Sequence, residues 1–219
     1  MNIILTGPPG AGKGTMSRLI QAQYNLPIIA TGDILRAEIK DGTELGRAAQ
    51  DLIEKGELVP DNIVIGIMKN AIDKMQNGYL LDGFPRNISQ AIEFDKMLEE
   101  NNNRIDIVID IEVTDETIID RVANRIICPK CSRPYHIHYN KPLTNGYCDY
   151  CNVKLERRKD DTEEYIKNRL MIYHRETRPL FDYYNKKGIL ATVESSKDDI
   201  KITFEKVNKV LEQLLVPVH

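Results

Sequence analysis

No stretch of this 219-residue sequence is apolar for the roughly twenty residues that a membrane helix needs. The N-terminus has no basic region, and Gly7, Pro8 and Pro9 cut its apolar run short, so it does not read as a signal peptide. Charge of one sign is also scarce. The 30 Lys and Arg against 33 Asp and Glu leave a net charge of −3, too little for global attraction to nucleic acid or to an anionic membrane. These absences predict a cytoplasmic protein without a membrane or nucleic-acid partner, in which any basic binding site is local. There is no low-complexity tract and no internal repeat. Nor is there an evident general base, His–Asp pair or activated nucleophile.

What is present begins at the N-terminus. Gly7-Pro8-Pro9-Gly10-Ala11-Gly12-Lys13-Gly14-Thr15 follows the apolar run Ile3-Ile4-Leu5 and precedes apolar residues at helical spacing, Met16, Leu19 and Ile20. Strand, glycine-rich turn and helix are the context of a phosphate-binding loop. Its backbone N–H groups and the helix start would face an anion, and Lys13 would reach the terminal phosphates. Gly14 stands where such loops usually carry Ser or Thr, so the next hydroxyl is that of Thr15.

Strand-like and helix-like segments alternate along the chain, which predicts an α/β fold with a parallel sheet flanked by helices. Strands are expected at 26–30, 78–82, 105–111 and 188–193. Helices are expected over 61–75, 87–100, from Thr114 to about Arg125, from about 161 towards 184, and over 200–215. The helical pattern from Ile34 to Lys55 is broken near Asp41-Gly42. That makes two short helices between strands, one more than a crossover requires, and suggests an inserted lobe at 30–59. The strand ending at Asp82 puts a carboxylate at the usual place for magnesium or its waters; a turn or helix cap is the plainer use of that acid.

Between Ile127 and Arg158 helical spacing disappears, and all four cysteines lie there. Cys128-x-x-Cys131 and Cys148-x-x-Cys151, sixteen residues apart, have zinc-ribbon spacing. Four thiolates fill a tetrahedral site, leaving no position for water, so such a zinc is structural. Two disulfides or four free thiols are the other readings. His136 and His138 are surplus to a site already filled by sulfur.

Arg36, Arg86, Arg121, Arg125, Arg158 and Arg169 fall near segment ends or insertions. Singly they read as solvated side chains; as a set they suit phosphate, which guanidinium binds bidentately. Phosphoryl transfer works mainly by positioning and charge neutralisation. An acceptor that is itself a phosphate, with a second pKa of about 6, needs no general base.

These motifs, with Thr31-Gly32-Asp33, Leu58-Val59-Pro60, Asp82-Gly83-Phe84-Pro85-Arg86 and Arg158-Lys159-Asp160-Asp161, resemble the adenylate kinase family in its long form with a zinc-bearing lid, and they do so over essentially the whole chain. The resemblance implies a P-loop NTPase-type core at 1–29, 60–123 and 162–219, a small helical nucleoside-monophosphate lobe at 30–59 and a four-cysteine zinc-bearing lid at 124–161, hinged near Asn124 and Asp161. It implies a monomer that converts ATP and AMP into two ADP with Mg2+, plus one structural Zn2+ on Cys128, Cys131, Cys148 and Cys151. ATP would meet Gly10, Ala11, Gly12, Lys13, Gly14, Thr15, Arg121, Arg125, Pro134, Tyr135 and Lys197. AMP would meet Thr31, Arg36, Glu57, Leu58, Val59, Gly83, Phe84, Pro85, Arg86 and Gln90. Arg158 and Arg169 would bridge AMP to the moving phosphoryl group, and Asp82 would act through magnesium-bound water. The sequence departs from many relatives at Asn124-Arg125-Ile126, with Asn for a common Gly and one arginine for an Arg-Arg pair. A kinase with another acceptor and a zinc-ribbon nucleic-acid-binding ATPase are the alternatives.

Overall fold

The structure, a computed structural model, describes residues 1–55, 57–75, 77–157, 161–195 and 199–215. A five-stranded parallel sheet forms its centre. The strands are β1 (Asn2–Thr6), β2 (Ile28–Ala30), β3 (Tyr79–Asp82), β4 (Ile107–Glu112) and β7 (Leu190–Glu194), in the order β2-β3-β1-β4-β7. Strand β1 is central, pairing Leu5 with Asp82 of β3 and Thr6 with Asp110 of β4. This register sets two carboxylates beside the mouth of the phosphate loop.

Alternation along the strands feeds two cores. Ile3, Leu5, Ile107, Ile109 and Ile111 pack with Met16 and Ile20 of α1 (Lys13–Tyr24) and with Val207 and Leu211 of α9 (Ile200–Leu215). Ile4, Leu81 and Val108 face the opposite core. There they meet Val64 and Met68 of α4 (Asp61–Ile72), Phe94 and Leu98 of α5 (Ile88–Glu100), and Leu180 and Tyr184 of α8 (Leu180–Lys186).

The break expected near Asp41 separates α2 (Thr31–Lys40) from α3 (Glu44–Glu54). Thr43 caps α3 by accepting from the Gly46 N–H at 3.0 Å, an interaction worth about 1 kcal/mol. Asn87 and Thr114 cap α5 and α6 (Asp115–Ala123) in the same way. Thr31-Gly32-Asp33 forms the first turn of α2, with no side-chain cap.

The long helix expected from 161 to 184 is divided. Helix α7 (Glu163–Ile172) runs into a wider π-helical turn, Tyr173–Thr177, before α8. The turn brings the Thr177 hydroxyl to the Arg86 carbonyl, to which it donates at 2.7 Å.

The cysteine segment forms a separate small sheet, β5 (Arg125–Ile127) antiparallel to β6 (Pro134–His136). Ile126 packs against the buried cluster of Cys128, Tyr135, Cys148 and Leu155.

Candidate active site

The carboxyl ends of the parallel strands open into a cleft of about 900 Å³. Between β1 and α1 the phosphate loop bends through glycines at positive φ. Gly12, at φ 94°, is the residue from which α1 starts. Gly7, at φ 137°, leaves no room for a side chain, since a Cβ there would lie 2.7 Å from the Ile111 carbonyl. Gly10, Gly12, Lys13, Gly14 and Thr15 line the cleft. Ala11 does not: its methyl is buried in the core and its N–H donates to the Pro8 carbonyl.

Lys13 Nζ donates to the Gly7 and Pro8 carbonyls, at 2.8 Å each. Burial pushes its pKa down to about 8; Asp82 works against that, while Arg169 and Arg86 add to it. Three cations thus crowd one end of the cleft, a distribution that an anionic ligand relieves. Burial also works against the charge of Arg86, whose Nε donates to the Gly83 carbonyl at 2.9 Å.

Asp82 closes the floor. Burial raises its pKa, and Lys13 and a 3.1 Å hydrogen bond from Ser17 pull it back. Ser17 escaped the sequence reading, although it sits one helical turn beyond Lys13 and therefore on the same face. A Cβ on Gly14 would lie 3.9 Å from Asp82 Oδ2. The room beside the Asp82 carboxylate, in a cleft that Thr15 also lines, fits Mg2+, which takes one or two carboxylates, keeps waters and uses substrate phosphates for the rest.

A smaller cavity of about 60 Å³ adjoins the cleft. It gathers Thr31, Arg36, Glu57, Leu58, Val59, Gly83, Phe84, Arg86, Gln90 and Arg169; Pro85 faces the main cleft. Gln90 is buried and held at both ends: its Oε1 accepts from the Arg86 N–H at 2.8 Å, and its Nε2 donates to Asp61 at 2.7 Å. An amide nitrogen carries two donors, so one remains for a base. Asp61 is the orienting residue that the sequence did not reveal. Arg36 pairs with Asp33 at 2.5 Å.

Arg121, Arg125, Pro134 and Tyr135 also line the cleft, as does Ile200. Arg121 donates to the Ser195 hydroxyl at 3.2 Å. Arg125 holds Asp161 bidentately, with Nε to Oδ2 at 2.8 Å, so the two ends of the cysteine segment are tied together. The Tyr135 ring lies under the thiols, its hydroxyl donating to Cys148 Sγ at 3.4 Å. Arg158 and Lys197 lie outside the described residues. His174 lies 3.0 Å from Asp115, a His–Asp pair that the sequence reading did not expect; both side chains are on the surface and away from the cleft.

The four cysteines are unbridged, and their Sγ atoms lie within 4.8 Å of one another. Cys131 and Cys148 Sγ are 3.8 Å apart, about the edge of a tetrahedron with 2.3 Å zinc–sulfur bonds. Each pair sits in the same knuckle. The Ser132 N–H bonds the Cys128 carbonyl as the Asn152 N–H bonds that of Cys148, both at 2.9 Å, and Ser132 and Asn152 share positive φ. Cys148 is drawn down to about 6: burial opposes this, and hydrogen bonds from Tyr135 and the Tyr150 and Cys151 N–H groups prevail. Cys151 is pushed up to about 12, chiefly by its neighbour Cys131. Thiols set this close ionise together only around a cation, so the donor set fits zinc.

The family model described as adenylate kinase matches residues 5–189. The chain belongs to the adenylate kinase family. It is 47% identical over 215 residues to the adenylate kinase of Methanosarcina barkeri, covering 97% of this chain and 99% of that one. It is 46% identical to that of Clostridium kluyveri (96% and 98% covered) and 47% identical to that of Caldicellulosiruptor bescii (96% and 99% covered). Membership of the adenylate kinase family makes this chain a phosphotransferase and does not favour a nucleic-acid-binding ATPase. No helix among the described residues is long and apolar enough to cross a membrane.

Proposed function

We propose how this chain divides the work of ATP:AMP phosphoryl transfer. The unit at 1–29, 60–123 and 162–219 is the core, 30–59 is the AMP lobe and 124–161 is the lid. ATP lies along the main cleft, with its phosphates on the loop from Gly10 to Thr15 and its base beside Arg121; Pro134 and Tyr135 meet it from the lid, and Lys197, outside the described residues, is a further ATP-binding candidate. AMP occupies the small cavity. Its base is read by the remaining Gln90 donor and by the 57–59 backbone, and its phosphate is held by Arg36 and Arg86.

The observation that carries this reading is the convergence of Lys13, Arg86 and Arg169 where the two cavities meet. That junction is where negative charge spreads in the transition state, and fixed cations act strongly in a dry site. The AMP phosphate is already largely ionised at neutral pH, with its second pKa about 6, so it attacks without a base. Arg125 and Arg158 complete the shell, and the lid keeps out the water that would otherwise accept the phosphoryl group. Asp82, whose carboxylate Ser17 fixes, would hold Mg2+ through water, and the bound ion would supply charge neutralisation across the transferred phosphates. Zn2+, one per chain on Cys128, Cys131, Cys148 and Cys151, is structural and folds the lid.

The protein works as a cytoplasmic monomer on ATP, AMP and ADP, with no nucleic-acid partner. An ADP-forming assay with AMP, UMP, CMP and GMP tests the acceptor: AMP is expected to be preferred, and preference for a pyrimidine overturns the role given to Gln90.

A further inference from the structure

The carbonyls of the last helical turn have no partner within their own helix. At the end of α3, two carbonyls are answered from a different part of the molecule. The Tyr165 hydroxyl donates to the Ile53 carbonyl at 2.5 Å, and the Asn168 amide to the Lys55 carbonyl at 2.6 Å. Both donors stand on α7, three residues apart and hence on one face. The neighbouring face of α7 carries Ile166 and Leu170, buried against Ile118 and Val122 of α6, so the donors project from a seated helix.

The same face of α7 carries Arg169, whose guanidinium carbon lies 5.7 Å from the centre of the Tyr165 ring. Tyr165 and Arg169 both wall the small cavity. The lobe that we read as the AMP lobe is thus fastened to the helix bearing one of the cations at the reaction centre.

We propose that Tyr165 and Asn168 form a clasp that holds the AMP lobe in its binding geometry and ties its position to Arg169. They are positioning residues, acting through Ile53, Lys55 and Arg169. A lobe held in place loses less freedom when the nucleotide binds, so the clasp raises affinity for AMP without touching the ATP side. The inference rests on the AMP reading of the small cavity.

Tyr165→Phe removes only the hydroxyl, and Asn168→Ala removes the side-chain amide. Steady-state KM for AMP, KM for ATP and kcat are measured for each and for the pair. Each single change is expected to raise KM for AMP about fivefold, as befits one lost neutral hydrogen bond, and the double change to raise it further. KM for ATP should stay within about twofold, as should kcat. A double variant with unchanged KM for AMP, or one in which both KM values rise alongside a fall in melting temperature, overturns the clasp. Wild-type protein that fails to turn over AMP instead overturns the reading of the cavity.

Discussion

The two segments inserted into the sheet are stabilised in opposite ways. The lobe at 30–59 borrows its interior: Leu35, Ala49 and Val59 belong to the same buried cluster as Leu81, Phe84 and Phe94 of the central unit. The lid has an interior of its own, and it is small. Among the described residues its buried apolar cluster is Cys128, Tyr135, Cys148 and Leu155, half of them cysteines. A cluster of that size does not offset the ordering of some thirty residues at about 1–2 kcal/mol each. The first segment therefore leans on the rest of the protein, and the second, by the zinc we propose for its four thiols, on an ion.

Metal removal should break this contrast most sharply. Structural zinc is worth about 10–16 kcal/mol in small zinc-binding peptides, far beyond what the lid interior supplies. Chelation should open 124–161 to proteolysis while the rest resists, and raise KM for ATP more than tenfold with a much smaller effect on AMP. Cleavage spread evenly along the chain would show that the lid does not fold separately.

The matching change in the other lobe is Gly46→Ala. A Cβ there would lie 2.1 Å from the Glu38 carbonyl, between α2 and α3. Forcing the two helices apart should cost about 1–3 kcal/mol and raise KM for AMP roughly tenfold at constant KM for ATP, as read by steady-state kinetics and thermal melting.

A smaller difference is expected in pH dependence. Among the described residues the cations lining the small cavity, our proposed AMP site, are arginines, which keep their charge, whereas burial lowers the pKa of Lys13 on the main cleft to about 8. Above that pH the free protein loses the Lys13 proton, so KM for ATP should climb between pH 8 and 10 and KM for AMP should stay flatter. Parallel profiles would assign the titration elsewhere.

The smallest effect belongs to a residue of β4, outside both segments. Burial raises Asp110 to about 6, with Arg178 opposing, and its Oδ1 is buried without a hydrogen-bond partner among the described residues. A folded pKa above the unfolded value near 3.9 means that stability falls as pH rises from about 4 to 6. Asp110→Asn should therefore raise the melting temperature at pH 7.5 by about 3 °C, or about 1 kcal/mol, and give no gain at pH 4.5, where Asp110 already carries its proton.

How much of this was legible beforehand follows from the range of the interactions. The phosphate loop, the helix starts at Asn87 and Thr114, and the paired cysteines are local patterns, and each appears where the residues place it. The family resemblance likewise held over 5–189. What stayed hidden depends on distant contacts. Ser17 reaches Asp82 across 65 residues, and Tyr165 reaches Ile53 across 112. Asp61 was read only as a helix start, because nothing local ties it to Gln90. The His174–Asp115 pair is invisible for the same reason, being 59 residues apart.

The widened turn at Tyr173–Thr177 leaves this part of the chain sensitive to length. An α-helix advances about 100° per residue, so one residue more or less in that turn would rotate α8 by roughly a quarter revolution against its neighbours. Leu180 and Tyr184, now packed inward, would swing towards solvent, and the Thr177 tether on Arg86 would come free. Relatives of this chain should accept many substitutions between α7 and α8 and very few insertions or deletions.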